Sequence, residues 1–364
     1  MTTKIIKKTN PQKDIFTKIK SLITASRNQV VRAVNSAMVL TYYEIGRIIV
    51  ENEQQGADKA KYGEQTLKEL SEKLAQEFGK GFSSRNLSNM RSFYLCYSIS
   101  QTVSAKSQKS GEMSRILDNN KFPKSNLSWS HYVFLIRLEE QERSFYEIEA
   151  NQNNWSIREL ERQFNSGLFQ RLSLSRNKDE VKQLSQKGQI IEKPQDLIKE
   201  PYILEFLGLD EKASYTESKL EQEIINKIED FLLELGKGFS FVGRQKRFSF
   251  DEEHFFVDLV FYNRLLRCFV LIDLKIGKLK HQDLGQMQMY VNYYDRFEKL
   301  EEEKPTIGIV LCYDKKDTLV EITLPKNSNI FAKEYKTYLP TKKELKEKMQ
   351  EAVILNEKRK NKDD

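Results

Sequence analysis

Cysteine and histidine are scarce, three of each in 364 residues. Cys96, Cys268 and Cys312 are odd in number and widely spaced, and no two stand in a Cys-x-x-Cys pair. That excludes a disulfide framework and argues against a zinc site, leaving buried thiols in a reducing compartment. Long apolar runs are missing too. The most apolar stretch, Val30 to Val50, carries Arg32, Asn35, Glu44 and Arg47, a charge density that no membrane span tolerates. The basic, polar stretch Met1 to Lys13 lacks the apolar core of a signal peptide, so the expectation is a cytoplasmic protein without membrane attachment. A strong charge of one sign is also absent. The net charge of +7 is a small excess within 31% charged residues whose signs alternate. It suits an anionic partner such as nucleic acid without requiring one.

What is present divides in two. The chain is too long for one ordinary domain. Residues 14–175 read as helices and are expected to form a DNA-binding or dimerisation domain. Ile15 to Val50 has apolar residues at helical spacing. Leu67, Leu70, Leu74 and Phe78 form one stripe on a second helix. Gly79 and Gly81 break it, and Ser83 or Ser84 can cap a third helix carrying Leu87, Met90, Tyr94 and Tyr97. A Ser/Lys/Asn-rich stretch from Gln101 to Asn126 reads as a loop, and helices resume at Ser130 and at the capping box beginning at Ser156. Residues 176–215 are polar, contain Pro194 and Pro201, and read as a linker. From Thr216 the pattern becomes α-β-β-β-α-β: one helix over Leu220–Leu235, strands over Phe239–Phe250, His254–Asn263 and Leu266–Ile276, a helix over Gln282–Phe297 and a strand over Thr306–Tyr313. The fold class is therefore a two-domain α+β protein, with an all-helical, helix-turn-helix-like first domain and an α/β domain with a mixed sheet over 216–340. Residues 341–364 read as a charged helix and tail. The glycine runs Glu77–Ser83 and Glu234–Ser240 lack the spacing and preceding strand of a phosphate loop, and no organic cofactor is expected.

Two acidic residues stand out because they interrupt apolar strands. Asp258 lies within Phe255–Phe261 and Asp273 within Cys268–Ile276. A carboxylate in a buried strand is costly unless a cation or donor compensates it. A hairpin turn near Arg264 sets the two strands side by side, and even loop parity lets both acids point to one face. Alternation puts Lys275 on the face of Asp273. Two carboxylates and an ammonium suit Mg²⁺ (or Mn²⁺), a hard cation that polarises a phosphodiester and activates water, with Lys275 orienting the water or countering charge. Glu221, on the preceding helix, can add a third carboxylate. Gln286 and Tyr290 share one face of the later helix, with Gln286 placed to hold water or a phosphate oxygen. The competing readings are a buried Asp–Lys pair that only supports the fold, and a catalytically inactive DNA-binding or assembly protein.

These residues resemble the PD-(D/E)XK nuclease superfamily and, more closely, the bacterial YhcG-type family. The resemblance rests on Leu220-Glu221, on Leu233–Gln245, on Phe256-Val257-Asp258-Leu259-Val260-Phe261-Tyr262, on Asp273-Leu274-Lys275-Ile276-Gly277-Lys278, and on Gly285-Gln286 with Tyr290. The first half is similar to that family's helical domain around Tyr62-Gly63, Phe78–Ser83 and Asn86-Leu87. It implies a metal-dependent deoxyribonuclease, an endonuclease, with Asp258 and Asp273 as metal ligands, Lys275 catalytic, Glu221 the helix acid and Gln286 the later helix position. Val257 replaces the family proline, and Asp273 stands where this family usually has Glu.

DNA contacts are expected from Arg244 and Gln245 beside Lys246 and Arg247, from Lys278 and Tyr290, and from Arg85, Asn86 and Arg91 on the third helix. Trp129 and Trp155 read as core anchors. A homodimer is expected by analogy with enzymes that cut two strands.

Overall fold

The computed structural model describes residues 11–55, 61–102, 125–173, 178–210, 215–250, 252–325, 327–341, 343, 344 and 347. Most of the loop expected at 101–126 and of the tail at 341–364 lies outside these residues. The described residues form two compact units, one of residues 1–143 with 150–157 and one of 144–149 with 158–364.

The first unit is helical. A long helix, α1 (Pro11–Gln55), precedes α2 (Lys61–Phe78) and α3 (Ser84–Thr102), which are joined by a 3-10 turn at Lys80–Phe82. Ser83 Oγ accepts from Asn86 N at 3.3 Å and caps α3. The C-terminal half of α1 buries Tyr42 and Ile49 against Leu87 and Met90 of α3. Gly46 makes this crossing possible, since a Cβ there would lie 2.1 Å from the Met90 carbonyl oxygen. Helix α4 (Trp129–Leu135) adds Trp129, whose ring lies 4.8 Å from Tyr42 and 5.5 Å from Phe93. Trp129 packs half-buried against this core, and Trp155 is buried. Helix α5 (Glu140–Asn153) follows.

The second unit is a six-stranded mixed sheet in the order β1-β6-β5-β4-β3-β2. Strands β2 (Phe239–Phe250), β3 (Glu253–Asn263) and β4 (Cys268–Lys278) form an antiparallel meander. Strands β5 (Ile307–Asp314), β6 (Ile330–Lys336) and the two-residue β1 (Tyr202–Ile203) add in parallel. Parallel neighbours need crossovers, supplied by α11 (His281–Tyr293) and α12 (Asp317–Thr323). On one face, α9 (Glu217–Asn226) and α10 (Ile228–Leu235) bury Leu220, Ile224 and Phe231 against Leu259, Ile272 and Leu274. On the other, α11 buries Leu284, Met287 and Val291 against Val260, Leu271 and Val310. Gly308 lets α11 descend onto β5, because a Cβ there would meet Met287 Cγ at 2.6 Å.

Three expectations are corrected. The single helix over 220–235 is two helices, broken at Lys227 (φ −122°, ψ 40°), whose ammonium donates to the Phe206 carbonyl. The break has no glycine or proline because a tertiary contact makes it. The helix expected to reach Phe297 ends in a π turn at Tyr294–Glu298, where Asp295 Oδ1 accepts from Thr306 N at 2.7 Å. The linker over 176–215 is not one among the described residues. It contains α8 (Lys178–Lys187) and β1, built into the sheet unit. With α6 (Ile157–Asn165) and α7 (Leu168–Ser173), it closes over a buried ion cluster. Glu234 Oε1 lies 2.5 Å from Arg171 Nη1 and accepts from Ile203 N at 3.0 Å, Oε2 is 3.4 Å from Arg162 Nη1, and Lys199 Nζ donates to the Glu234 carbonyl.

Candidate active site

The site lies where two strands part. Pairing of β3 with β4 runs from Asn263↔Cys268 to Leu259↔Ile272 and stops. The next positions in register are Asp258 and Asp273. Beyond them β3 stays paired with β2 through Val257↔Lys246, while β4 stays paired with β5 through Asp273↔Val310 and Lys275↔Cys312. The sheet therefore forks between the two acids. At the fork Asp258 Oδ2 accepts from Leu274 N at 2.9 Å, a side chain standing in for the lost ladder bond. Alternation also shifts here: Val257 and Val260 belong to the same core cluster although three residues apart.

On β2 the residue in register with Asp258 is Gln245, the position missing between Arg244↔Leu259 and Lys246↔Val257. Its backbone is left-handed (φ 45°), unusual for a residue with a side chain. Its amide nitrogen donates both to Glu221 Oε2 at 2.7 Å and to Asp258 Oδ1 at 3.0 Å. One amide thus ties the helix acid to the strand acid. Gln245, Asp258 and Asp273 make one row across three strands.

Asp273 is 2% exposed. Lys275 Nζ lies 2.8 Å from its Oδ2 and forms a close ion pair with this buried oxygen. Burial, with the Asp258 charge added, pushes the Asp273 carboxyl up to about 7 despite the lysine. Burial also raises Glu221, as does Asp258, against the opposing Gln245 amide. For Lys275, burial works against the charge, but Asp273 beside it prevails and its pKa is raised. Glu217, one turn before Glu221, lies 3.9 Å from Lys275 Nζ and accepts from Ile276 N at 3.4 Å. Asp273 and Glu217 thus flank one ammonium, with the Asp258 charge also acting on it.

Of the expected residues, the structure brings together Asp258, Asp273, Lys275 and, through Gln245, Glu221. Gln286 donates its amide to the hydroxyl of Tyr290. Tyr290 is 1% exposed and edges onto the Phe248 ring at 5.5 Å, so it cannot touch DNA as expected. Gln245 is held by two carboxylates rather than presented to phosphate, and Arg244 is held by Gln222 at 2.8 Å. Lys278, 80% exposed, projects from the end of β4. In the helical unit Arg85 is exposed. Asn86 instead donates to Gly81 O at 2.6 Å and accepts from Trp129 Nε1 at 2.8 Å, and Arg91 pairs with Glu53 at 2.6 Å. Both are clamps between helices. The sequence reading missed Glu217 and the bridging role of Gln245. Glu217 was detectable as an acid one helical turn from Glu221; the Gln245 bridge carries no local signal.

Among the described residues no three His, Cys, Asp or Glu side chains converge into a ready metal cage. The test of fit is the surplus of carboxylate: buried Asp273 and, directly across the fork, Asp258 stand beside the Lys275 ammonium. Hard carboxylate oxygens with uncompensated charge suit a divalent cation, and on that ground Asp258 and Asp273 fit one.

A mixed sheet between helices, forked at paired acids with a lysine two residues on, defines a PD-(D/E)XK-type nuclease domain. The family described as the YhcG PDDEXK nuclease domain matches residues 195–350, and that described as the DUF1016 N-terminal domain matches 18–171. The chain is 40% identical over 346 residues to the "Putative nuclease YhcG" of Escherichia coli (strain K12), covering 90% of this chain and 91% of that protein. It belongs to the YhcG family. Two solved structures show a fainter likeness. One is a repair endonuclease from Pyrococcus abyssi (18% identity, 35% of this chain and 50% of that one, TM-score 0.24). The other is the EndoMS-dsDNA2 complex (16% identity, 35% and 48%, TM-score 0.24). Likeness of that degree carries no argument.

Proposed function

We propose that the chain hydrolyses phosphodiester bonds in DNA with a divalent cation, Mg²⁺ or Mn²⁺, held by Asp258 and Asp273 with Glu221 close by. The observation that carries this reading is the fork: two acids in register, one of them buried, and Lys275 paired with it. The cation would neutralise the excess negative charge and lower the pKa of a water molecule. Gln245 fixes Asp258 relative to Glu221. Asp273 keeps Lys275 protonated, so its ammonium can stabilise charge developing on the phosphate. Tyr290 and Gln286 brace the wall below, and exposed Lys278 suits a phosphate contact that positions the strand. The net charge of +7 favours a polyanion.

A second reading, an inactive nuclease fold that binds DNA or assembles with other chains, draws on one observation: the Gln245 amide sits between Glu221 and Asp258, where a third ligand would have to turn. Supercoiled plasmid incubated with Mg²⁺ decides between them. Nicking by the wild type and none by Asp258→Ala supports hydrolysis. Retained mobility shifts with cutting by neither protein support the second reading, and nicking by both removes Asp258 from the chemistry. Parallel digestion of RNA tests whether the polymer is DNA.

A further inference from the structure

Helix α1 changes character near Val39. From there on it buries Val39, Leu40, Tyr42, Tyr43, Ile49 and Val50 within its own unit. Before it, every residue whose side chain is described from Ile15 to Met38 is exposed except the half-buried Asn35. This half is nevertheless apolar: Phe16 is 68% exposed, Leu22 70% and Val30 60%, with Ile15, Ile19, Ile23 and Val34 similarly open. A polar solvated helix would not carry such residues. Helices in water owe most of their stability to packing of an apolar stripe, and among the described residues this stripe packs on nothing.

Its spacing says what covers it. Phe16, Ile23 and Val30 recur every seven residues, and Ile19, Ser26 and Ala33 fall three residues after each. These are the a and d positions of three heptads, continued by Ala37 and Leu40 where the helix enters its unit. A heptad seam fits another helix of the same repeat. The flanking charges select the orientation. The e positions hold Lys20, Arg27 and Val34, and the g positions Ile15, Leu22 and Gln29. In a parallel pair, g faces the partner's e, so Ile15 meets Lys20 and Leu22 meets Arg27, where the aliphatic stems can cover apolar surface. In an antiparallel pair e faces e, and Lys20 and Arg27 would oppose like charges.

We infer that residues 16–37 of α1 form the self-association surface of this protein, pairing in parallel with the same segment of a second copy. Sedimentation of the full chain is expected to give twice the 42.9 kDa chain mass. The double variant Ile23→Asp, Val30→Asp is expected to weaken association at least about tenfold, with the thermal transition of the sheet unit unchanged. Orientation is read separately: Ile23→Cys in a Cys96→Ser background should form an interchain disulfide under mild oxidation, because parallel a positions face each other. A wild-type monomer, a larger assembly, a double variant that stays dimeric, or an uncrosslinked Ile23→Cys would each overturn the inference. So would a monomer that floats with phosphatidylserine vesicles, which would assign the face to a lipid surface.

Discussion

The second unit holds two clusters of charge with opposite balance, each centred on a buried carboxylate. Around Glu234, one carboxylate meets Arg171, Arg162 and Lys199. Burial alone would push that carboxyl up, but the cations more than offset it and hold it down at about 2. Lys199, itself buried, is pushed down to about 8. Around Asp273 the proportions reverse: Asp273, Glu217 and Asp258 share one lysine, and the Asp273 carboxyl rises to about 7. The first cluster is closed, every charge answered by neighbours, and it fixes Arg162, Arg171, Lys199 and Ile203 to α10. The second is open, its deficit of positive charge left for something outside the chain to supply. A buried carboxylate is common to both; what separates them is the balance of charge around it.

The largest effect should come from the open cluster. Asp273→Asn is expected to cut plasmid nicking by a factor on the order of 10³ while the protein stays folded, and Lys275→Ala by about 10²–10³; initial rates with Mg²⁺ measure both. The converse test strikes the closed cluster. Arg171→Met leaves Glu234 buried without its main partner and should cost about 3–5 kcal/mol in urea unfolding, with the nicking rate per folded molecule unchanged. A loss of rate equal to that of Asp273→Asn would erase the distinction.

Acidity gives a finer contrast. Asp273 has its folded pKa raised from 3.8 to about 7. The folded state therefore binds more protons than the unfolded one across that range, and its contribution to stability falls as pH rises through it. Metal-free protein should lose stability between about pH 4 and pH 7 through this group, and Asp273→Asn should flatten that slope. Glu234 runs the other way: its pKa falls from 4.5 to about 2, so its contribution is full above 4.5 and lost as pH drops toward 2. Unfolding free energies across the range check both signs. The smallest effect is that of Gln245→Ala, which frees Asp258 from Glu221 and should slow nicking about tenfold, as loss of one neutral hydrogen-bonding group does.

Much of the open cluster was legible in the sequence because buried acids break an apolar pattern. Asp258 and Asp273 interrupt strands, and strand alternation alone sets Lys275 beside Asp273. The meander was legible for the same reason, with Phe239–Phe250 bounded as the structure has it. The closed cluster was invisible. Arg171, Lys199 and Glu234 lie in stretches that look like ordinary charged helix or polar linker, and only the tertiary fold reveals that their charges are buried. The break at Lys227 and the bridging by Gln245 fail to show for the same reason: each is a contact between segments far apart in the chain. Asn86 and Arg91 mislead in the opposite direction, since residue types that suit DNA serve equally well to clamp helices.

Asp258 and Asp273 are the residues proposed to hold a divalent cation. Electron paramagnetic resonance of free Mn²⁺ at neutral pH tests this without reference to cleavage. Wild type and Arg171→Met should deplete the free-ion signal to the same extent per folded chain, and the double variant Asp258→Ala, Asp273→Asn should leave it undiminished. Equal depletion by the double variant and the wild type would contradict the account.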